Sequence, residues 1–267
     1  MKVMTYNILT GGQDELDNSR LDLVIDVIAD QAPDVLVLQE LNYSELFGHK
    51  VLHRLENETG LRGFLATATT GFHVGVFVPK RSTVIQTKAD TVEFHHAKLE
   101  VRVATASGPL TIVGTHLCPF GGDIRLAEAQ RLARYADSNR LALLMGDLNS
   151  LDPGSEHDEA LSRLPAHVRV RHQLADGKTA DTRAIATLLN AGFVDLLRRF
   201  PREEGAITVP TPGFGGGEHA GARIDYILGT ERIADRASGC SIVSGGNADS
   251  ASDHYPVVAE LDLELVL

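Results

Sequence analysis

Short apolar runs recur along the chain, and most of them stop at a carboxylate, an amide or an imidazole. Val3 to Leu9 alternates and then breaks at Gly11-Gly12, and Val35 to Leu38 is fully apolar before Gln39-Glu40. Residues 73–78 (HVGVFV), 98–105 (KLEVRVAT) and 110–116 (LTIVGTH) read as strands, the last two joined by a turn at Ser107-Gly108-Pro109. Leu141 to Met145 ends at Gly146-Asp147, Arg223 to Leu228 follows a glycine-rich loop at 212–221, and Val257 to Leu265 is the last strand. Apolar residues at helical spacing predict helices over 19–30, 44–58, 123–138 and 181–191. Ser19 can start the first of these, and Gly192 closes the last. Early alternation of strands and helices, with hairpin-linked strands between, predicts two packed sheets flanked by helices and not a doubly wound parallel fold.

With 267 residues, 43% of them hydrophobic, the chain can bury one large core, and no Ser/Pro-rich linker or internal repeat divides it. A single domain over 1–267 is the expectation. The net charge is −11 and there is no basic tail or stripe, which weakens the case for long contacts with nucleic acid built on Lys/Arg–phosphate pairs. The segment Met1 to Ile8 lacks the basic start and long apolar run of a signal peptide. No apolar stretch approaches the ~20 residues needed to span a bilayer. Cys118 and Cys240 are far apart and outside any CxxC pattern, so they read as packed thiols. A soluble cytoplasmic monomer fits these features.

The chemistry lies in the polar residues at the strand ends. Asn7 follows the first strand, Glu40 the second and His116 the hairpin strand, while Asp147 and Asn149 end a buried run. Asp225 sits in Arg223-Ile224-Asp225-Tyr226, and Asp253-His254 stands just before the last strand. Strand ends hold side chains rigidly at one rim of a sheet. The set holds carboxylates, amides and imidazoles without cysteine, which suits Mg²⁺, Mn²⁺ or Ca²⁺ better than a structural zinc.

The segments Thr5-Tyr6-Asn7, Leu38-Gln39-Glu40, Gly114-Thr115-His116-Leu117, Gly146-Asp147-Leu148-Asn149, Arg223-Ile224-Asp225-Tyr226 and Ser252-Asp253-His254-Tyr255-Pro256 together resemble the endonuclease/exonuclease/phosphatase superfamily. All six stand in the family's order and span residues 5–256. The resemblance implies a four-layer α/β/β/α sandwich of two mixed sheets flanked by helices. It also implies Mg²⁺- or Mn²⁺-dependent hydrolysis of phosphate esters by direct attack of water. On it, Glu40 is the main metal ligand, helped by Asn7 and Asp253. Asp147 orients or deprotonates the water, and Asn149, two residues on and so on the same strand-end face, holds the water or the phosphate. His254 contacts the phosphoryl oxygens with its tautomer set by Asp225, and His116 donates to a phosphate oxygen.

Other residues carry weaker signals. His95-His96 lies just before a strand, and His96 is a candidate for bordering the pocket, although a surface position competes; His73 is ambiguous in the same way. Arg125, after His116, is a candidate phosphate contact because a guanidinium suits bidentate recognition. Asp195 reads as structural. The loop Gly213 to His219 is a candidate lid or a plain connection. The substrate expectation is a small phosphorylated metabolite or nucleotide, supported by the acidic chain and by aromatic content of only 5% without Trp. A DNA or RNA nuclease is the alternative, and a catalytically inactive binding module the second.

Overall fold

A period-two pattern decides which way each strand faces, and in this chain it sorts side chains between an inner core and two outer ones. In the computed structural model, residues 1–14, 17–200, 206–215 and 221–267 are described. The strands are β1 (Lys2–Asn7), β2 (Val35–Gln39), β3 (Leu61–Ala66), β4 (Val74–Pro79), β5 (Val84–Asp90) and β6 (Ala97–Thr105). They continue with β7 (Gly108–His116), β8 (Leu141–Asp147), β9 (Val194–Asp195), β10 (Asp225–Gly229), β11 (Ala237–Ile242) and β12 (Val257–Leu261). They form two six-stranded sheets, ordered β11-β12-β1-β2-β4-β3 and β5-β6-β7-β8-β10-β9. Both are mixed: β1 pairs parallel with β2 and β7 with β8, and the other pairings between strands are antiparallel.

Val3, Val35, Val37, Val74 and Val76 of the first sheet share one buried core with Leu99, Ile112, Leu143, Met145 and Ile227 of the second. The alternate residues Met4, Tyr6, Leu36, Leu38 and Phe77 face outward under the helix Ser19–Gln31, through its Leu21, Val24, Ile25 and Ile28, and under Leu55 of the helix Lys50–Thr59. On the second sheet Val113, Leu144, Tyr226 and Leu228 pack beneath the helices Gly122–Leu132 and Arg183–Asn190, through Ala129, Leu132, Ile185 and Leu188. The result is helices, sheet, sheet, helices, the expected α/β/β/α sandwich. Both faces of each sheet are covered, so the central strands read as continuous apolar runs.

Several boundaries differ from the sequence reading. The second helix begins at Lys50, because Tyr43, Phe47, Gly48 and His49 all take positive φ and keep the preceding segment in turns. The segment 123–138 gives a helix only to Leu132, followed by a 3₁₀ turn over Ala133–Tyr135. The last strand stops at Leu261 instead of Leu265. Strands β3, β5, β9 and β11 have no counterpart in the sequence reading, and all four lie at sheet edges. An edge strand is partnered on one side only and buries little; most of β5 is exposed. No described helix is long and apolar enough to cross a membrane.

Candidate active site

The inward-facing rows of four strands end in polar residues at the same rim. Along β1 the row runs Val3, Thr5, Asn7; along β7 it runs Leu110, Ile112, Gly114, His116; along β8, Leu141, Leu143, Met145, Asp147; and β10 opens its row with Asp225 before Ile227. Register aligns the rim. His116 lies opposite Asp147 in the β7–β8 pair, and Asp225 opposite Asp147 in the β8–β10 pair. The backbone of Gly146 makes this alignment possible, for its φ is +151° and a Cβ there would sit 1.9 Å from the Thr115 carbonyl oxygen.

Glu40 reaches the rim by a different device. It follows β2 with φ +57°, which turns its side chain back toward Asn7. Its Oε1 accepts from Asn7 Nδ2 at 3.2 Å and its Oε2 from the Thr10 backbone N–H at 3.0 Å. Buried Arg20 secures that loop by donating to the carbonyls of Ile8 (2.9 Å) and Leu9 (2.7 Å) and to Thr10 Oγ1 (3.0 Å). Burial raises the Glu40 carboxyl above its ordinary range, against the lowering influence of the Thr10 hydrogen bond and His254.

His254 Nδ1 donates to Asp225 Oδ2 at 2.9 Å, and its Nε2 lies 3.7 Å from Asp147 Oδ2 and 4.0 Å from Asp253 Oδ1. Burial alone would depress the imidazolium, but the charges of Asp225 and Asp147 and the hydrogen bond to Asp225 hold it well above its ordinary value. Asp147 is pushed upward, chiefly by burial and further by the Asp225 charge, with His254 opposing. His116 Nε2 lies 3.3 Å from Asp147 Oδ2. Burial, then the neighbouring imidazoles, hold His116 well below its ordinary value, so this ring is neutral beside a charged one.

Two expected roles shift on this geometry. The nitrogen of the Asn7 amide, and not its oxygen, faces the site: Nδ2 donates to Glu40 and to Asp147 Oδ2 (3.1 Å), while Oδ1 accepts from the Leu9 N–H at 3.1 Å. Asn7 therefore bridges two carboxylates instead of offering an oxygen to a cation. Arg125 is withdrawn from the pocket altogether. It is 1% exposed, and its guanidinium donates to the carbonyls of Cys118 and Arg171, fixing the segment after β7. The expectation of a phosphate contact is corrected, since both bonds point into the protein. Asn149 does reach the pocket, but not by strand alternation: β8 ends at Asp147, and Asn149 takes φ +47°. Its N–H donates to Asp147 Oδ1 at 2.8 Å and its amide nitrogen to the Leu117 carbonyl at 3.0 Å.

These residues line a cavity of about 620 Å³ that includes Glu40, Asp147, Asn149, Asp253, His254 and His116. His96 lines it too and is 3% exposed, so the surface reading of this histidine is set aside. Thr70, Phe72, Phe120, Arg171 and His172 join the wall without any signal in the sequence that singles them out. His73 lies outside the wall, its Nε2 2.7 Å from Glu45 Oε2. Asp195 caps a short helix through the Leu197 N–H and pairs with Arg223 at 2.6 Å, a structural role as expected. Of the candidate lid, Gly216 to His219 lie outside the described residues.

Two mixed six-stranded sheets between helices, with a carboxylate-rich pocket at one rim, define a two-sheet α/β sandwich of the deoxyribonuclease I-like kind. The chain belongs to the Endonuclease/Exonuclease/phosphatase family, whose model matches residues 4–254. It is similar in fold to an AP endonuclease from Archaeoglobus fulgidus, at 23% identity and TM-score 0.69 over 98% of this chain and 99% of that one. It is also similar to a 3′ phosphatase from Neisseria bound to product DNA hairpin (20%, 0.67, 98% and 99%) and to a functionally unknown conserved protein from Enterococcus faecalis (17%, 0.70, 99% and 100%). A comparison with curated proteins finds no match.

Proposed function

We propose that this chain is a phosphoric ester hydrolase that works with Mg²⁺ or Mn²⁺ and attacks phosphorus directly with water. The observation that carries the reading is the convergence of Glu40, Asp147, Asp225 and Asp253 on His254 at the rim of one pocket. One imidazolium does not balance that many carboxylates, and an oxygen-rich donor set with surplus negative charge fits a hard divalent cation. Asp147, Asp225 and His254 also offer three ligand atoms within 4.8 Å of one another. A cation seated among those three would have to replace a proton of the His254 ring, which Asp225 and Asp147 hold in its charged form, so Glu40 and Asp253 are the better holders.

When bound there, the cation would withdraw charge from a phosphoryl oxygen and stabilise the leaving oxygen. The chain's own groups divide the remaining work. Asp147, raised by burial and steadied by Asn7 and the Asn149 N–H, takes the proton of the attacking water. His254, fixed by Asp225, donates from Nε2 to a phosphoryl oxygen as charge grows. Neutral His116, whose Nε2 lies 3.3 Å from Asp147 Oδ2, would donate to a phosphoryl oxygen of the bound substrate. Asn149 keeps its amide oxygen for the water.

A small phosphorylated substrate or nucleotide is favoured by the net charge of −11. A nuclease is the second reading, favoured by full-length likeness to a DNA-bound phosphatase. A cytoplasmic monomer is the proposed setting, in keeping with two free cysteines, one of them buried. The test is metal removal. Hydrolysis of a bis-aryl phosphodiester should vanish with EDTA and return with Mg²⁺ or Mn²⁺. Glu40→Gln should move the metal midpoint to higher concentration by about tenfold or more, the scale of a perturbed coordination shell. Full turnover in metal-free buffer would sink the reading.

A further inference from the structure

The pocket is larger than a phosphoryl group requires. At about 620 Å³ it falls among clefts that enclose whole small ligands, and its two ends differ in chemistry. Glu40, Asp147, Asp253 and His254 form one end. Rings wall the other. Phe72 packs on His96 with centroids 5.2 Å apart, His96 lies 4.3 Å from His116 with the rings inclined by 33°, and His95 meets His96 edge-on at 4.6 Å. At the mouth, Phe120 is held edge-on by His95 at 5.8 Å, and the Arg171 guanidinium lies over its ring at 5.2 Å. Phe120 is nevertheless 60% exposed, so a ring fixed by two neighbours still offers a bare surface.

A second observation comes from His96. Its Nδ1 is 2.7 Å from Thr70 Oγ1, while its Nε2 is buried without a hydrogen-bond partner, and His116 Nδ1 is in the same condition. Buried polar atoms of this kind are ordinarily satisfied. On a pocket wall they call for a ligand that brings its own donors and acceptors.

We propose that the ring-lined end receives the base of a nucleotidyl group attached to the scissile phosphate, the base stacking on Phe120 with its polar edge toward His96 Nε2. This rests on the phosphoesterase reading and narrows its substrate class. A flat heterocycle supplies both requirements at once, a π-face for Phe120 and an edge of donors and acceptors for the imidazoles. An acyl chain would leave the ring nitrogens unsatisfied, a sugar brings hydroxyls but no π-face for Phe120, and a phenyl group brings the face without the polar edge.

The test compares two p-nitrophenyl esters in Mg²⁺ buffer: that of thymidine 5′-phosphate, and that of the same sugar phosphate without a base. The wild-type chain should favour the first by about tenfold or more in kcat/KM, as expected for one stacking partner. Phe120→Ala should bring that ratio to about one and Phe120→Trp should preserve it; Phe120 is exposed, so neither change opens the core. His96→Phe should lower the ratio by about threefold, and an unmoved ratio would overturn the edge contact. Equal use of the two esters by the wild type, or a Phe120→Ala loss shared by both, would overturn the base site. Fluorescence of a 2-aminopurine nucleotide 5′-monophosphate separates this failure from that of the phosphoesterase reading. Quenching that Phe120→Ala abolishes, with neither ester hydrolysed, upholds the base site alone; hydrolysis of the base-free ester without quenching upholds hydrolysis alone. Competition by thymidine 5′-monophosphate or by a short oligothymidylate then tells a free nucleotide from a strand end.

Discussion

His254 sits between Asp225, Asp147 and Asp253, and its ring orientation is decided by the 2.9 Å bond from Nδ1 to Asp225. That bond leaves Nε2 aimed at the carboxylates and keeps the ring charged against the cost of burial. The 3.4 Å approach of Asn7 Nδ2 to Nε2 is a hydrogen bond only for the neutral ring, so Asn7 weighs slightly on the other side. If Asp225 works through His254, removing either should damage one step. Asp225→Asn and His254→Ala should each lower kcat by about 10²–10⁴, the range for a positioned acid–base or charge-stabilising group. The double variant should be little worse than His254→Ala alone, because residues acting as a unit are strongly non-additive. Losses that multiply in steady-state assays would show independent action and remove Asp225 from the proposed pair.

At the scale of elements, the site depends on how β8 ends. Gly146 brings the strand close against β7, and the turn after it places Asn149 with positive φ over Asp147. Gly146→Ala meets both a disfavoured φ and a backbone oxygen that cannot swing aside. It should destabilise the chain by about 1–3 kcal/mol in urea unfolding and lower turnover by displacing Asp147. Gly239→Ala, in edge strand β11 with no atom within 4 Å of the added Cβ, is the matched control and should stay near wild type. A Gly146→Ala variant with wild-type midpoint and activity would show that the β7–β8 approach is not constrained as described.

For the whole molecule the governing quantity is charge. A net charge of −11 opposes a polyanion, and catalysis on DNA would need local cations to overcome it. If the substrate is polymeric nucleic acid, kcat/KM should fall by about a thousandfold or more between about 50 and 200 mM salt, as counterion release is lost. A small substrate, engaged through one phosphate, should change by less than about threefold. Kinetics across that range with plasmid DNA and with a mononucleotide ester decide between them, and a steep response on DNA with negligible ester turnover would reverse the preference stated above.

Much of the site was legible in the chain because its construction is local. Asn7, His116 and Asp147 each end a row of alternate residues, 3-5-7, 110-112-114-116 and 141-143-145-147, and period two is a property of the strand itself. The apolar rows likewise announced two sheets covered on both faces. Edge strands β3, β5, β9 and β11 were not legible, since a strand that is short or little buried carries little pattern. Nor was the path of Arg125, whose guanidinium is claimed by carbonyls from two separate segments. The low aromatic content counted against a single-stranded nucleic-acid groove, yet the fold gathers Phe72, His95, His96, His116 and Phe120 from three separate segments around one cavity. Composition averages over the chain, whereas a binding wall is made by whichever distant residues the packing of two sheets brings together.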